Sequence, residues 1–213
     1  MLISMSGIDS AGKTTQVDLL CDYCKSRGIS VKRVWSKARG TPGVLLLKEL
    51  FRRDKHMNSE DKAEYRQNVY GNIHKKRLLY VASMLDLCWY WGVYYRLLKL
   101  RYRVVVCDRY LWDTFVELNH DFQGINISKS ILWRLVKAIA PKPCHSFLFV
   151  IPAELSIARD RQKHAAGIEP VEVKKEKIDR YLALAGQGKW TDVIEGTRPA
   201  EDIHLQIRNT LNL

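Results

Sequence analysis

The sequence is poor in cysteine, lacks long hydrophobic runs and carries comparatively little negative charge. Its 213 residues include five cysteines, an odd and sparse set that disfavours a disulfide scaffold. No hydrophobic run approaches the roughly 18–20 residues of a membrane span. The segment Met1–Gly7 lacks the basic start and cleavage site of a secretory signal. We therefore expect a cytoplasmic protein without a membrane partner.

Positive charge is in clear excess. The chain has 35 Lys and Arg against 23 Asp and Glu, a formal net charge of +12. This excess favours an anionic partner, but net charge alone does not choose among nucleic acid, an anionic membrane and small polyphosphates. A generically basic protein is the alternative. Because 46% of the residues are hydrophobic and 10% are aromatic, the chain can bury a real core and is not largely disordered.

Hydrophobic periodicity predicts strands that alternate with helices along the whole chain. The predicted strands cover residues 2–5, 29–35, 103–107, 146–151 and 192–195. The predicted helices run from Thr14-Thr15 to Gly28, over most of 43–100, and over 128–140, 154–163, 171–185 and 201–211. This order predicts one α/β domain over residues 1–213, with a five-stranded parallel sheet and helices on both faces.

Residues 7–14 match the pattern G-x-x-x-x-G-K-[ST] in full, between a predicted strand and a predicted helix. In such a loop the backbone N–H groups converge on a phosphate, and the helix N-terminus adds partial positive charge. We expect Lys13 to reach the β- and γ-phosphates and Thr14 to offer its hydroxyl to Mg²⁺. The predicted phosphate-binding residues are Gly7, Ser10, Ala11, Gly12, Lys13, Thr14 and Thr15.

Asp108 closes the apolar strand predicted over 103–107. A carboxylate at the end of such a strand is placed to reach a metal beside the phosphate loop, although a strand-terminal aspartate often only caps a loop. Arg109 and Tyr110 follow it. We predict that Asp108 and Thr14 together organise Mg²⁺.

Several motifs, in the same order along the chain, resemble the thymidylate kinase family of nucleoside monophosphate kinases. They are the loop 7–16, the segment 78–82, the triplet 108–110, the stretch 152–159 and the tail 193–199. The resemblance covers essentially the whole chain. It implies a P-loop kinase three-layer fold with a lid at about 159–170. It also implies a homodimeric enzyme that uses ATP and Mg²⁺ to phosphorylate a nucleoside monophosphate such as dTMP.

The resemblance further implies roles for residues around the acceptor. Asp9 matches the carboxylate that contacts the acceptor sugar, and Arg109 matches the arginine that holds the acceptor phosphate. Arg39 lies where some members place a second phosphate-binding arginine. Tyr80 matches the aromatic residue that stacks on the acceptor base, and Arg198 lies in the turn that matches the loop near the adenine of ATP.

The family supplies a catalytic arginine from either the phosphate loop or the lid. Ser10 occupies the loop position here, so the candidate catalytic arginines are Arg159 and Arg161. A solvated helix face is the alternative interpretation of this basic cluster.

The acceptor pocket departs from the family pattern. Met84 stands where the family carries an arginine that helps recognise thymine, and Leu111-Trp112-Asp113 replaces small hydroxyl residues. Asp113 either binds hydroxyl or amine groups of the acceptor or caps a helix that begins near Thr114. A same-fold kinase with another nucleotide or a non-nucleotide metabolite as acceptor is therefore an alternative. A nucleic-acid-stimulated NTPase is a remote alternative. The charge suggests it, but no nucleic-acid-binding motif supports it. We therefore expect a small-molecule acceptor and no nucleic acid.

Overall fold

A computed structural model describes residues 1–35, 72–164 and 168–213. Its strands are β1 (Leu2–Gly7), β2 (Val31–Trp35), β3 (Val104–Asp108), β4 (His145–Val150) and β5 (Asp192–Glu195). All their pairings are parallel, in the order β2-β3-β1-β4-β5. Parallel neighbours require crossover connections, which helices provide here. The predicted α/β class with a five-stranded parallel sheet is confirmed.

The helices follow the predicted order. They are α1 (Lys13–Ser26), α2 (Ile73–Trp89), α3 (Tyr95–Arg101), α4 (Leu111–Asp121), α5 (Ile131–Ile139), α6 (Ala153–Gln162), α7 (Val171–Ala185) and α8 (Ala200–Leu211), with a π-helical turn over Tyr90–Tyr94 between α2 and α3. The part of the predicted 43–100 helical region before residue 72 lies outside the described residues, as does Arg39. No helix in the described ranges is long and apolar enough to cross a membrane.

The chain divides into two compact units. The first comprises Met1–Ser36, Leu98–Val116 and Lys142–Leu213 and contains the whole sheet. Every residue of β1 and β3 is buried, as expected for central parallel strands covered on both faces.

The register of the central strands brings two chemically important chain segments to one edge. Met5 of β1 is opposite Asp108 of β3, and Gly7 at the end of β1 is opposite Phe149 of β4. The loop after β1 and the residues after β3 therefore leave the sheet at its carboxyl edge, where ligands of such folds bind.

The second unit comprises Lys37–Leu97 and Glu117–Pro141, and its described part is helical. Tyr80 and Met84 of α2 are buried in it, and the Tyr80 ring meets Phe122 edge to face, with centroids 5.5 Å apart. Of the aromatic stretch after α2, Trp91 and Tyr95 are fully buried. These aromatic side chains form much of the core of this unit.

Candidate active site

The loop between β1 and α1 is shaped by its first glycine. Gly7 has a φ of 135°, a conformation that L side chains rarely adopt, and a Cβ there would lie 2.3 Å from the Phe149 carbonyl oxygen. The helix then starts at Lys13. Its first N–H groups have no partner within the helix, so they are available to a phosphate held in the loop.

Lys13 is buried, and its side chain crosses the loop. The Nζ atom donates a hydrogen bond to the Ile8 carbonyl oxygen at 2.5 Å. Burial is the main cause that lowers the pKa of Lys13 to about 7, and the neighbouring Arg109 guanidinium lowers it further. A bound polyanion would raise the pKa of Lys13 again, because an adjacent negative charge favours the protonated amine.

Thr14 and Asp108, the predicted metal pair, lie side by side. Thr14 Oγ1 donates to Asp108 Oδ2 at 3.0 Å, and Asp108 is 2% exposed. Arg33 of β2 donates to the same carboxylate oxygen at 2.9 Å and to Asp18 at 2.6 Å. Hydroxyl and carboxylate oxygens are the hard ligands that Mg²⁺ prefers, so this pair fits the ion.

Arg109 is buried in a left-handed conformation, with a φ of 75°. For a residue other than glycine, such a conformation costs about 1–3 kcal/mol and persists only where the surroundings enforce it. Its Nη1 donates to the Gly7 carbonyl oxygen at 3.1 Å, and its Nη2 pairs with the Asp9 carboxylate. The guanidinium is thus fixed along the phosphate loop.

Asp113 lies in the first turn of α4 and is 1% exposed. One of its carboxylate oxygens accepts from Ser6 Oγ at 2.6 Å and from the Tyr110 N–H at 3.0 Å. The other accepts from the Gly7 N–H at 3.0 Å and from the Tyr181 hydroxyl at 2.8 Å.

The bond from the Tyr110 N–H is what a helix-capping carboxylate makes, so the capping alternative describes Asp113 in this structure. The helix begins at Leu111, earlier than the predicted start near Thr114. A carboxylate has about four acceptor positions, and Asp113 uses its oxygens on groups of the chain itself. Its predicted contact with the acceptor stays a prediction.

The two candidate lid arginines differ. Arg159 Nη1 donates to the Ser10 carbonyl oxygen at 3.2 Å and to the Gly196 carbonyl oxygen at 3.1 Å. A Cβ at Gly196 would lie 2.6 Å from the Ala11 carbonyl oxygen, so the turn after β5 approaches the phosphate loop closely. Arg159 therefore joins the loop to this turn, whereas Arg161 is exposed.

The first unit thus brings together seven of the predicted site residues, namely Asp9, Lys13, Thr14, Asp108, Arg109, Asp113 and Arg159. Arg198 is exposed in the turn before α8 and donates to Gln206 at 2.7 Å. Tyr80 and Met84 belong to the second unit, and Arg39 lies outside the described residues. The base-recognition roles of Tyr80 and Met84 stay predictions.

The sequence did not single out several polar residues that contact the site directly or, in the case of Lys174, through Ser156 and Asp160. They are Ser6, Arg33, Ser156, Asp160, Lys174 and Tyr181. Their contacts join different elements of the fold, so no local motif marks these residues. Lys174 is the most unusual, because it is 1% exposed, and lysine is almost never fully buried unless it is paired.

Comparison with known proteins agrees with this geometry. The family model described as "Thymidylate kinase" matches residues 5–207. The chain belongs to the thymidylate kinase family. The thymidylate kinase of Sulfurihydrogenibium sp. is 27% identical over 98% of this chain and 95% of its own length. That of Plasmodium falciparum is 27% identical over 96% of this chain and 86% of its own length.

A solved structure supports the fold independently. The thymidylate kinase of Ehrlichia chaffeensis superposes with a TM-score of 0.59 at 17% identity, over 100% of this chain and 98% of that one. As a thymidylate kinase family member, the protein is an ATP-dependent nucleoside monophosphate kinase, as the sequence predicted. Members of the family use ATP as phosphate donor, generally with Mg²⁺.

Proposed function

We propose that this family member transfers the γ-phosphoryl group of ATP directly to the phosphate of dTMP. The observation that carries the proposal is the convergence of a complete phosphate loop, the Thr14–Asp108 pair and the buried guanidinium of Arg109 on one edge of the sheet. Phosphoryl transfer needs positioning and charge cancellation more than covalent catalysis. These groups provide both.

The donor side is assigned to the loop and its neighbours. The loop amides and Lys13 hold the donor phosphates, and Thr14 and Asp108 hold Mg²⁺, which neutralises charge on the phosphates when bound. Arg198 and the turn that begins at Gly196 lie toward the adenine. Ser10, Ala11, Gly12 and Thr15 complete the phosphate-binding loop.

The acceptor side is assigned to arginines and Asp9. Arg109 holds the acceptor phosphate, with Arg39 as a second candidate, because a guanidinium binds phosphate through two parallel donors. Asp9 orients Arg109 through their ion pair. Arg159 is the candidate for cancelling charge on the transferring group, since it already contacts the loop, and Arg161 is the alternative. An acceptor phosphate is already anionic, so no general base is required.

An acceptor panel tests this proposal. Purified protein is given ATP and Mg²⁺ with dTMP, dUMP, each other nucleoside monophosphate or a cell metabolite extract, and ADP formation is measured. We expect turnover on dTMP. Turnover on another acceptor with none on dTMP would instead support the same-fold kinase alternative, which the Met84 and Trp112-Asp113 departures favour. ADP formation that requires DNA or RNA would support the nucleic-acid alternative.

We also propose a homodimer in which helix α2 faces a second copy of the chain. Hydrophobic side chains recur every three or four residues along α2 and into the π-helical turn, and they are exposed: Leu78 49%, Val81 39%, Leu85 59%, Trp89 58% and Val93 46%. Such spacing places them on one side of the helix. A continuous exposed apolar surface of this kind commonly marks a protein interface.

Leu85→Glu tests the interface, because it places a charge at the centre of this apolar side. Size-exclusion chromatography with light scattering measures the mass in solution. We expect twice 24.7 kDa for the native protein and 24.7 kDa for the variant. Leu205→Glu is the matched control, since Leu205 is similarly exposed at 54% but lies on α8. A dimeric Leu85→Glu variant, or a monomeric native protein, would contradict the proposal.

A further inference from the structure

A buried lysine is connected to the phosphate loop by a short series of hydrogen bonds. Lys174 lies in the first turns of α7 and is 1% exposed. Its Nζ atom donates to Ser156 Oγ at 2.6 Å and pairs with the Asp160 carboxylate. Both partners lie on α6, so Lys174 fixes two polar groups of the neighbouring helix.

These two groups contact adjacent residues of the phosphate loop. Ser156 Oγ donates to the Asp9 carbonyl oxygen at 2.8 Å. Ser10 Oγ donates to Asp160 Oδ1 at 2.5 Å. Lys174 therefore acts at one remove on both Asp9 and Ser10, through one serine and one carboxylate.

Fold stability alone gives a weak reason for burying this ion pair. Removing two charges from water costs several kcal/mol per ion, and an apolar replacement of similar volume is often neutral or stabilising. A fixed geometry is a better-matched explanation. Ser10 has a φ of 57°, a conformation that for a residue other than glycine persists only when its surroundings enforce it.

We infer that Lys174 is a positioning residue that holds the Asp9–Ser10 segment of the loop in the conformation that directs the Asp9 carboxylate at Arg109. Asp160 and Ser156 transmit its effect. Without the lysine, Ser156 and Asp160 are less well fixed, and their hydrogen bonds to the loop weaken. Asp9 then fixes Arg109 less well. The inference rests on the proposed function in one respect, which is that Arg109 holds the acceptor phosphate.

Lys174→Met keeps most of the length and the apolar character of the side-chain stem but removes its charge and donors. Because small misplacements in an active site cost up to about 10²-fold, we expect kcat/KM for the acceptor to fall about 10- to 100-fold, and the affinity for ADP, which also depends on the loop amides, to fall by a clearly smaller factor. Lys174→Arg keeps the charge and the donors, and it should recover part of the loss.

Lys175→Met is the matched control, since it makes the same substitution one residue later on α7. Lys175 is exposed and pairs at 2.8 Å with Glu154, which is also exposed, so its kinetics should equal those of the native protein. Hydrogen exchange of the amides of residues 8–12 gives a readout without turnover. We expect faster exchange there in Lys174→Met than in Lys175→Met.

The outcomes separate this inference from the proposed function. If the native protein is inactive on every acceptor, the proposed function fails, and the exchange comparison alone decides the role of Lys174. Equal acceptor kinetics and equal exchange in the two methionine variants would overturn the inference. An equal loss of ADP and acceptor affinity would also overturn it, because the damage would then be general. If Lys174→Met does not fold, Lys174→Met with Asp160→Asn removes both charges and takes its place.

Discussion

Lys13→Met is expected to lower kcat/KM for ATP by about 10²–10³-fold, the usual cost of removing one preorganised donor from a charged transition state. The reason is the location of the amine, which is buried inside the loop and hydrogen-bonded to the Ile8 carbonyl oxygen. Methionine fills a similar volume without charge or donors. Steady-state kinetics with saturating acceptor measure the loss.

Lys25→Met is the control for this substitution, because it changes a lysine at the other end of the same helix. Lys25 pairs with Asp22 at 2.9 Å, and both side chains are mostly exposed. Exposed pairs contribute little, so activity and melting temperature should not change. A native-like kcat/KM for Lys13→Met would remove Lys13 from the catalytic site.

The lowered pKa of Lys13 predicts a pH dependence of ATP binding. Its pKa of about 7 in the free protein should rise when phosphates pair with the amine, so between the two pKa values binding takes up a proton. Affinity then falls as the pH increases above about 7, by at most about tenfold per pH unit. The difference between the pH profiles of native protein and Lys13→Met isolates this effect from the titration of ATP. Profiles of equal slope would contradict it.

The sheet was predictable because each strand has a local signal. The fully apolar run before Asp108 predicts a central strand, and the structure buries all of Val104–Asp108. The phosphate loop also follows from local sequence, since its glycines and the helix start stand at fixed spacings. The boundaries of β5 and α7 agree with the prediction at both ends.

The second layer of the site was not predictable, because its contacts join residues far apart in the chain. Asp113 reads in sequence as an acceptor contact or as a helix cap, and only the fold brings Tyr181 to it from α7. Asp160 falls within a basic segment for which a solvated helix face is the alternative interpretation. Its burial and its pairing with Lys174 depend on how α6 and α7 pack in the first unit.

Arg109→Ala should have the largest effect of all, a decrease in kcat/KM for the acceptor of about 10³-fold or more, because the variant lacks the guanidinium assigned to the acceptor phosphate, and removing an arginine from a phosphoryl-transfer site costs about 10³–10⁵-fold. Its two Nη atoms already contact the Gly7 carbonyl oxygen and the Asp9 carboxylate, so the guanidinium is fixed before any acceptor binds. Arg109→Lys keeps the charge but loses the two parallel donors of the planar guanidinium. It should recover only part of the rate.

Arg103→Ala is the matched control, because Arg103 is exposed just before β3 while Arg109 directly follows the same strand.

Initial rates over a range of dTMP concentrations distinguish two roles for Arg109. A lower kcat with unchanged KM means that its contact forms in the transition state, whereas a higher KM alone means that it binds the ground-state phosphate. Because Arg109 is assigned to the acceptor phosphate, which is charged before and during the transfer, we expect a higher KM together with the lower kcat. Native kinetics in Arg109→Ala would leave Arg159 as the arginine to test next.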